Sequence, residues 1–340
     1  MRESDDLERA HLLVKLARVA EQNEESAKAL GLYDDALGQF TDESTDPLLC
    51  DVLRWKGTLL RERGETDGAF RCYTRSLDKA VSSGSERSQA HALNCLGTIA
   101  QRRCDHKETE RLYFEASGLA TKAGDARLLG MIEQNRGVLA SMRGDFADAA
   151  AFYSNSLGAF ETAADAEPTS WVLNNLGILH IKVRNFEEAR GYLERGLAIA
   201  INRHDAVVEN VITLNLAEAW LGLGRLDNAD KFCDAALDQA QRRGDHLSAA
   251  GALKVRAAVE RQRGALDKSI ATLRIALFEA EGCEDRLLHA EMLRELGEIS
   301  RAVGNAGAAR SAWREAVDTF QGIGAVQEVA EVQANLQALD

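Results

Sequence analysis

NCLGTIA at residues 94–100, NNLGILH at 174–180 and RELGEIS at 294–300 share one pattern: a leucine precedes a glycine, and an aliphatic residue follows the glycine by two positions. A strict period of 40 residues connects these glycines and indicates stacked repeats, each packed on its neighbours, rather than one central core. The small residues in this register, called the anchor residues below, are Ala17, Gly57, Gly97, Gly137, Gly177, Ala217, Ala257 and Gly297.

A second set of positions follows each anchor. Small residues recur twelve positions later and mainly Tyr, Leu or Trp sixteen positions later, as Ala69 and Tyr73 do after Gly57. These offsets lie on one face of a second helix. Between the two helices, glycines such as Gly64 and Gly144 suit a left-handed helix end. Each repeat is therefore predicted to be a hairpin of two helices.

The links between hairpins carry equally regular residues. A glycine followed by an aspartate, as at Gly244 and Asp245, ends one helix and caps the next. Pro47 and Pro168 are predicted to lie in first helical turns, where no amide hydrogen is needed. The capping aspartates of this column are Asp125, Asp205, Asp245 and Asp285.

The Leu-Gly pattern followed by A-x3-aromatic resembles the tetratricopeptide repeat, a helix-turn-helix unit. The chain departs from that family in its period of 40 instead of 34 residues and in lacking the proline near the end of the second helix. Lengthened repeats of this kind are similar to those of kinesin light chains and of bacterial signalling and transcription-control proteins. HEAT and armadillo repeats have a similar period but lack this register.

The resemblance implies an all-α, right-handed superhelical solenoid of about eight helix-turn-helix repeats with a C-terminal capping helix. A single solenoid over residues 1–340 is expected. The predicted repeats cover approximately residues 5–44, 45–84, 85–124, 125–164, 165–204, 205–244, 245–284 and 285–324, and the capping helix covers 325–339.

Composition restricts the class of function. A net charge of −13 disfavours nucleic acid as the partner, because phosphate binding needs clustered Lys and Arg. The N-terminus lacks the basic and apolar segments of a signal peptide, and no apolar run approaches the length of a membrane span. A reduced cytoplasm is predicted, since the six cysteines form no CxxC pair. They are Cys50, Cys72, Cys95, Cys104, Cys233 and Cys283.

Catalytic motifs are not evident in the sequence. The seven histidines form no HExxH and no ligand cluster with cysteine. The glycines of LGLGRLDNAD at residues 221–230 are explained by the repeat register, because the segment lacks the GK[ST] ending of a phosphate loop. The sequence thus predicts a non-catalytic protein without cofactor or metal.

In tetratricopeptide solenoids the first helix of each hairpin lines the concave surface. The resemblance therefore implies an inner stripe of positions six, three and two before each anchor and one, four and five after it. Asparagines cluster there: Asn135, Asn175 and Asn215 stand two before their anchors, and Asn94 and Asn174 three before. A carboxamide can both donate to and accept from a peptide backbone.

Two interpretations of these asparagines stay open. They resemble the asparagine ladders by which kinesin light chains and bacterial peptide-pheromone receptors hold a peptide, a role carried over to Asn135, Asn175 and Asn215. Alternatively, they bond to neighbouring helices and hold repeat against repeat.

The same stripe is apolar in the middle of the chain. Exposed apolar patches of this extent usually mark interaction sites, although close winding of the repeats would bury part of it. The candidate contact residues are Met131, Val138, Trp171, Ile178 and Leu214.

Toward both ends the stripe becomes basic, with pairs of cations seven residues apart. Such cations would orient an acidic partner, or they form ordinary ion pairs with nearby glutamates such as Glu62, Glu291, Glu295 and Glu298. The basic candidates are Arg54, Arg61, Lys254, Arg261, Arg294 and Arg301.

Three functional classes follow. The favoured one is an interaction scaffold whose concave groove binds an extended peptide or helix of a partner protein. The second is a regulator that senses a peptide or metabolite. The third is an obligate non-catalytic subunit of a larger bacterial assembly. Whether the chain forms a homo-oligomer is left open by the sequence.

Overall fold

A computed structural model describes residues 2–41, 44–281 and 285–339 of the chain, so that Cys283 lies outside the described residues. Those residues form seventeen α-helices packed pairwise as a repeat solenoid, which confirms the all-α prediction. Two compact units, Met1–Leu139 and Ala140–Asp340, are described separately below.

The N-terminal unit contains three complete hairpins and most of a seventh helix. Within each hairpin the two helices pack against each other, and α3 also packs on α5. The helices are α1 (Arg2–Gln22), α2 (Ser26–Leu37), α3 (Pro47–Glu62), α4 (Thr66–Ser82), α5 (Glu86–Arg102), α6 (His106–Lys122) and α7 (Ala126–Arg143), whose last turn lies beyond the unit boundary.

The C-terminal unit continues the pattern with ten helices in its described residues. The first helices of its hairpins pack side by side, α9 on α11, α11 on α13 and α13 on α15. The helices are α8 (Phe146–Thr162), α9 (Ala166–Lys182), α10 (Phe186–Arg203), α11 (Ala206–Gly222), α12 (Leu226–Arg243), α13 (His246–Gln262), α14 (Leu266–Glu279), α15 (Arg286–Ala302), α16 (Ala306–Gly322) and α17 (Val326–Gln337).

The predicted helix ends are confirmed. All four aspartates of the capping column accept a hydrogen bond from the amide three residues later, as Asp245 does from Ser248 at 3.0 Å. Gly244 ends α12 with a positive φ of 66°. Pro47 is the first residue of α3, and Pro168 lies in the first turn of α9. The helix boundaries thus follow from local chemistry.

The anchor residues are small because the second helix places a large side chain against them. A Cβ atom on Gly57 would lie 2.6 Å from Cε1 of Tyr73, which is completely buried. The same close approach pairs Gly177 with Leu193. This contact between the two helices of a hairpin explains why only glycine and alanine occur at the anchor positions.

Arg184→Gly is expected to stabilise the C-terminal unit. Arg184 has a φ of 60° in a turn whose equivalents in other repeats, such as Gly144 and Gly224, are glycines with positive φ. A left-handed backbone costs a residue with a Cβ about 1 kcal/mol, part of which the greater flexibility of glycine in the unfolded chain offsets.

Urea denaturation followed by circular dichroism measures the gain, expected at roughly 0.5 kcal/mol. Arg184→Ala is the matched control, because it removes the same side chain but keeps the Cβ. An equal gain in both variants would show that the side chain, not the backbone, limits stability.

Candidate functional site

Most residues of the inner stripe are half-buried on the first helices from α3 to α15, and many residues between them belong to the core. On α15, Glu291 and Arg294 are partly exposed, whereas Met292, Leu293 and Ile299 are buried. Because side chains three and four positions apart share a helix face, the partly exposed side chains form a continuous surface on that helix.

Four of the five candidate asparagines bond to each other in pairs. Nδ2 of Asn135 donates to Oδ1 of Asn94 at 2.9 Å, and Nδ2 of Asn215 donates to Oδ1 of Asn174 at 2.7 Å. Asn94 and Asn174 are only 5% and 2% exposed, so they lie beneath the surface on which the sequence placed them. Each pair joins one first helix to the next, as the alternative interpretation expected.

Asn175 differs from this pattern. It is half-exposed on α9, and in the described part of the chain no hydrogen bond joins its carboxamide to another residue. Its neighbour Asn174 is already the acceptor for Asn215. The Asn175 carboxamide therefore keeps both its donor and its acceptor available at the inner stripe.

The apolar candidates are only partly exposed. Trp171 packs beside a buried cluster that includes Leu193 and Ile212, and Leu214 packs beside Cys233 and Val255. The remaining three are also half-buried, namely Met131 and Val138 in the N-terminal unit and Ile178 in the C-terminal unit. Packing thus covers part of the apolar stripe and leaves edges of these side chains at the surface.

The basic candidates of the C-terminal unit are paired with carboxylates. Nζ of Lys254 lies 2.9 Å from Glu218 and 2.5 Å from Glu291, and Arg261 lies 2.6 Å from Glu295. Burial lowers the pKa of Lys254, but the two glutamates raise it further, so the net pKa is above the ordinary value. The other two basic candidates form ion pairs that are longer or more exposed. Arg294 lies 3.6 Å from Glu331, and Arg301, which is exposed, lies 2.9 Å from Glu298.

Arg54 and Arg61 of the N-terminal unit are less fully paired. Nη2 of Arg54 donates to Asp51 at 2.9 Å, and the ion-pair contact of Arg61 is Glu62 at 3.7 Å, beyond hydrogen-bond distance. The Nε atoms of both arginines are buried and have no hydrogen-bond partner. The Arg54 guanidinium also lies 5.4 Å from the ring centroid of Trp55.

Two features escaped the sequence analysis. Glu218, in the repeat before that of Lys254, is the second carboxylate that pairs with Lys254. It lies one residue after the anchor Ala217, which is a position of the inner stripe, so the sequence could have identified it. A surface cavity of 960 Å³ lies near the turn between α11 and α12, lined by residues including Arg190, Trp220 and Arg263. Trp220 lies three residues after the anchor Ala217, at a position where the repeat pattern predicts a residue that packs between helices. The sequence analysis therefore did not identify it as a candidate.

The capping helix reaches back to the fifth repeat. Nζ of Lys182 on α9 lies 3.0 Å from Oε1 of Glu328 on α17. The Glu328 side chain is only 17% exposed. A cavity of 380 Å³ beside this contact is lined by residues that include Met142, Phe146 and Val326. The last helix of the C-terminal unit is therefore held by more than its neighbour α16.

In the described residues, no cluster of three or more His, Cys, Asp or Glu side chains is arranged to hold a metal ion. None of the helices described there combines the length and apolar character needed to cross a bilayer.

Several solved structures share the fold. RapI in its apo form is 13% identical, with a TM-score of 0.61, over 80% of this chain and 97% of its own. A Rap protein complexed with Competence and Sporulation Factor is 12% identical, with a TM-score of 0.60, over 98% of this chain and 97% of its own.

A Signal Transduction ATPase with Numerous Domains protein with a tetratricopeptide repeat sensor, from Pyrococcus horikoshii, is 15% identical, with a TM-score of 0.67. The match covers 97% of this chain and half of that protein. No curated protein sequence matches the chain.

The family model for the tetratricopeptide repeat matches residues 134–202. The same hairpin, with its anchor and its turn glycine, recurs on both sides of that segment. Residues 134–202 therefore match the tetratricopeptide repeat family, and the chain is similar in fold to two Rap proteins and to a STAND protein that contains a tetratricopeptide repeat sensor.

Proposed function

We propose that this protein is a non-catalytic interaction scaffold whose inner stripe binds an extended peptide segment of a partner protein in the cytoplasm. The observation that carries the proposal is the unpaired, half-exposed carboxamide of Asn175, on the same helix face as Trp171 and Ile178. Tetratricopeptide repeats mediate protein binding, and the net charge of −13 supports a protein rather than a nucleic-acid ligand.

The chemistry of this face suits an extended backbone. A peptide group carries one donor and one acceptor, and a carboxamide can satisfy both without reading the side chain. The exposed edges of Trp171 and Ile178 would bind alternate apolar side chains of the same peptide. Affinity would then come from the backbone contacts and specificity from the apolar ones.

A second candidate is a regulator that senses a peptide. It is favoured by the likeness over almost the entire length of both chains to a Rap protein that was solved with a bound factor. In this role the peptide would alter a second contact of the protein, for example the one between α9 and α17, instead of recruiting a partner.

Asn175→Ala and Trp171→Ala are each expected to weaken peptide binding about tenfold or more, since each removes a contact worth roughly 1.4 kcal/mol or more. Peptides are selected from a random phage library on the wild-type protein, and their dissociation constants are measured by fluorescence polarisation. Asn155→Ala on α8 and Phe278→Ala on α14 are matched controls, because both side chains are exposed outside the first helices.

Asn135 and Asn215 are unsuitable for this test. Removing either leaves a buried asparagine oxygen without its donor, which costs about 1–3 kcal/mol of stability. Failure to select any peptide, or equal losses in the α8 and α14 controls, would refute the scaffold. Binding that is indifferent to Asn175 and Trp171 would favour the third class, an obligate subunit that uses another face.

A further inference from the structure

The N-terminal unit presents two half-buried guanidinium groups with unused donors. The side chains of Arg54 and Arg61 are 19% and 25% exposed, and they lie seven residues apart on the inner stripe of α3. An arginine has five N–H donors. Within the described residues the Arg61 guanidinium has no hydrogen-bond partner, and the Arg54 guanidinium donates to Asp51 alone.

Cys95 on α5 is close enough to both arginines for their charges to act on its thiol. Burial raises the pKa of the Cys95 thiol, and the Arg54 and Arg61 charges oppose that rise, so both guanidinium groups act on one side chain. Burial, aided by Arg54, lowers the pKa of His91 to about 4. His91 is therefore neutral near pH 7 and adds no positive charge beside the two arginines.

The repeat register supplies an internal comparison. Lys254 and Arg261 occupy the positions of Arg54 and Arg61 five repeats later, and carboxylates of adjacent repeats neutralise them. Those carboxylates are Glu218, Glu291 and Glu295; the equivalent residues around the N-terminal pair are Arg18, His91 and Cys95. Arg18 is itself basic, and its own partner is Glu21 at 2.8 Å. The carboxylates that adjacent repeats supply to Lys254 and Arg261 are thus missing around Arg54 and Arg61, whose acidic neighbours are Asp51 and Glu62 of their own helix.

A carboxylate fits this site better than a phosphate. A guanidinium binds a carboxylate through two parallel hydrogen bonds. Asp51 and Glu62 lie next to the two arginines, and their negative charges would repel a dianion more strongly than a monoanion. We propose that Arg54 and Arg61 form a carboxylate-binding subsite on α3, which, granting the scaffold function, receives an acidic side chain or the C-terminal carboxylate of a partner protein.

The subsite is tested with small carboxylates on the full chain. Acetyl-glutamate amide supplies the side-chain carboxylate and acetyl-alanine the C-terminal one, with acetyl-glutamine amide as the uncharged control. The Nε–H resonances of Arg54 and Arg61, assigned by Arg54→Gln and Arg61→Gln, are followed by NMR. Either carboxylate is expected to produce a saturable downfield shift at both resonances with a millimolar midpoint.

The double variant Arg54→Gln/Arg61→Gln is expected to weaken binding of the carboxylate about tenfold or more, measured calorimetrically. Arg71→Gln/Arg75→Gln is the matched control, because it removes the same charge from exposed positions of α4. No saturable shift, an equal shift with acetyl-glutamine amide, or a response to inorganic phosphate alone would overturn the subsite. None of these probes is a selected peptide. A negative result with them would therefore refute the subsite without refuting the scaffold, and failure to select a peptide would refute the scaffold without refuting the subsite.

Discussion

Gly297→Ala is expected to lower the free energy of unfolding of the C-terminal unit by about 1–3 kcal/mol, whereas Gly158→Ala is expected to raise it by about 0.5–1 kcal/mol. A Cβ on Gly297 would lie 2.7 Å from Cε2 of Trp313, a completely buried side chain. The indole cannot move away freely, because its Nε1 donates to the carbonyl of Arg294 at 3.1 Å. Around Gly158, on α8, a Cβ would meet nothing within 4 Å.

Urea denaturation of both variants measures the change in the free energy of unfolding, which is expected to be a loss for Gly297→Ala and a gain for Gly158→Ala. The seventh repeat suggests a rescue, because it pairs Ala257 with Leu273 where the eighth pairs Gly297 with Trp313. Gly297→Ala combined with Trp313→Leu should therefore cost less than the sum of the two single changes. Additive losses, or a gain from Gly297→Ala alone, would mean that the anchor glycine is not required by the tryptophan.

Lys254→Met is expected to destabilise the C-terminal unit by about 2 kcal/mol at pH 7. Removing one partner of a buried ion pair costs roughly 3–5 kcal/mol, and the figure is reduced here because Glu218 and Glu291 are 30% and 25% exposed. The substitution keeps the volume of the side chain but leaves two carboxylates facing each other without their cation. Lys28→Met, which breaks an exposed pair with Glu25, is the control and should cost less than about 0.5 kcal/mol.

The pH dependence separates charge from packing. Burial raises the pKa of Glu291, but Lys254 and Arg294 lower it further, so its contribution to stability is present above about pH 4.3 and is lost as pH falls through its folded-state value. The pKa of Lys254 is raised, so its contribution is complete below about pH 10.4 and is lost at higher pH. The wild-type cluster therefore contributes fully between about pH 5 and 10.

In Lys254→Met the unpaired carboxylates bind protons more readily in the folded state. The difference in stability between variant and wild type should shrink as pH falls from 7 toward 5. A difference that stays constant over this range would assign the loss to packing instead of charge.

The sequence predicted the hairpins because each boundary depends on local chemistry. Asp245 caps a helix through an amide three residues away, and Gly244 ends one through its own backbone, so neither needs distant information. The close contact of Gly57 with Tyr73 is also readable, since both residues belong to one repeat.

The candidate site was harder to predict because its contacts join different repeats. Whether Asn215 meets a ligand or Asn174 depends on the spacing of two helices that are 41 residues apart, and the periodic pattern does not report that distance. The same holds for Lys254, whose partner Glu218 stands in the preceding repeat. Periodicity identifies which residues face inward, but the geometry between repeats decides which of them remain available.

The contact between Lys182 and Glu328 changes how the C-terminal unit should respond to loss of its end. In a strictly linear array, stability is a sum over nearest neighbours, and a terminal helix can fray without consequence for distant repeats. Here residues 146 positions apart in sequence touch, so detaching α17 also removes a partner from α9. Hydrogen exchange at the end of α9 is therefore expected to increase when α17 detaches, a coupling between distant helices that an open row of repeats lacks.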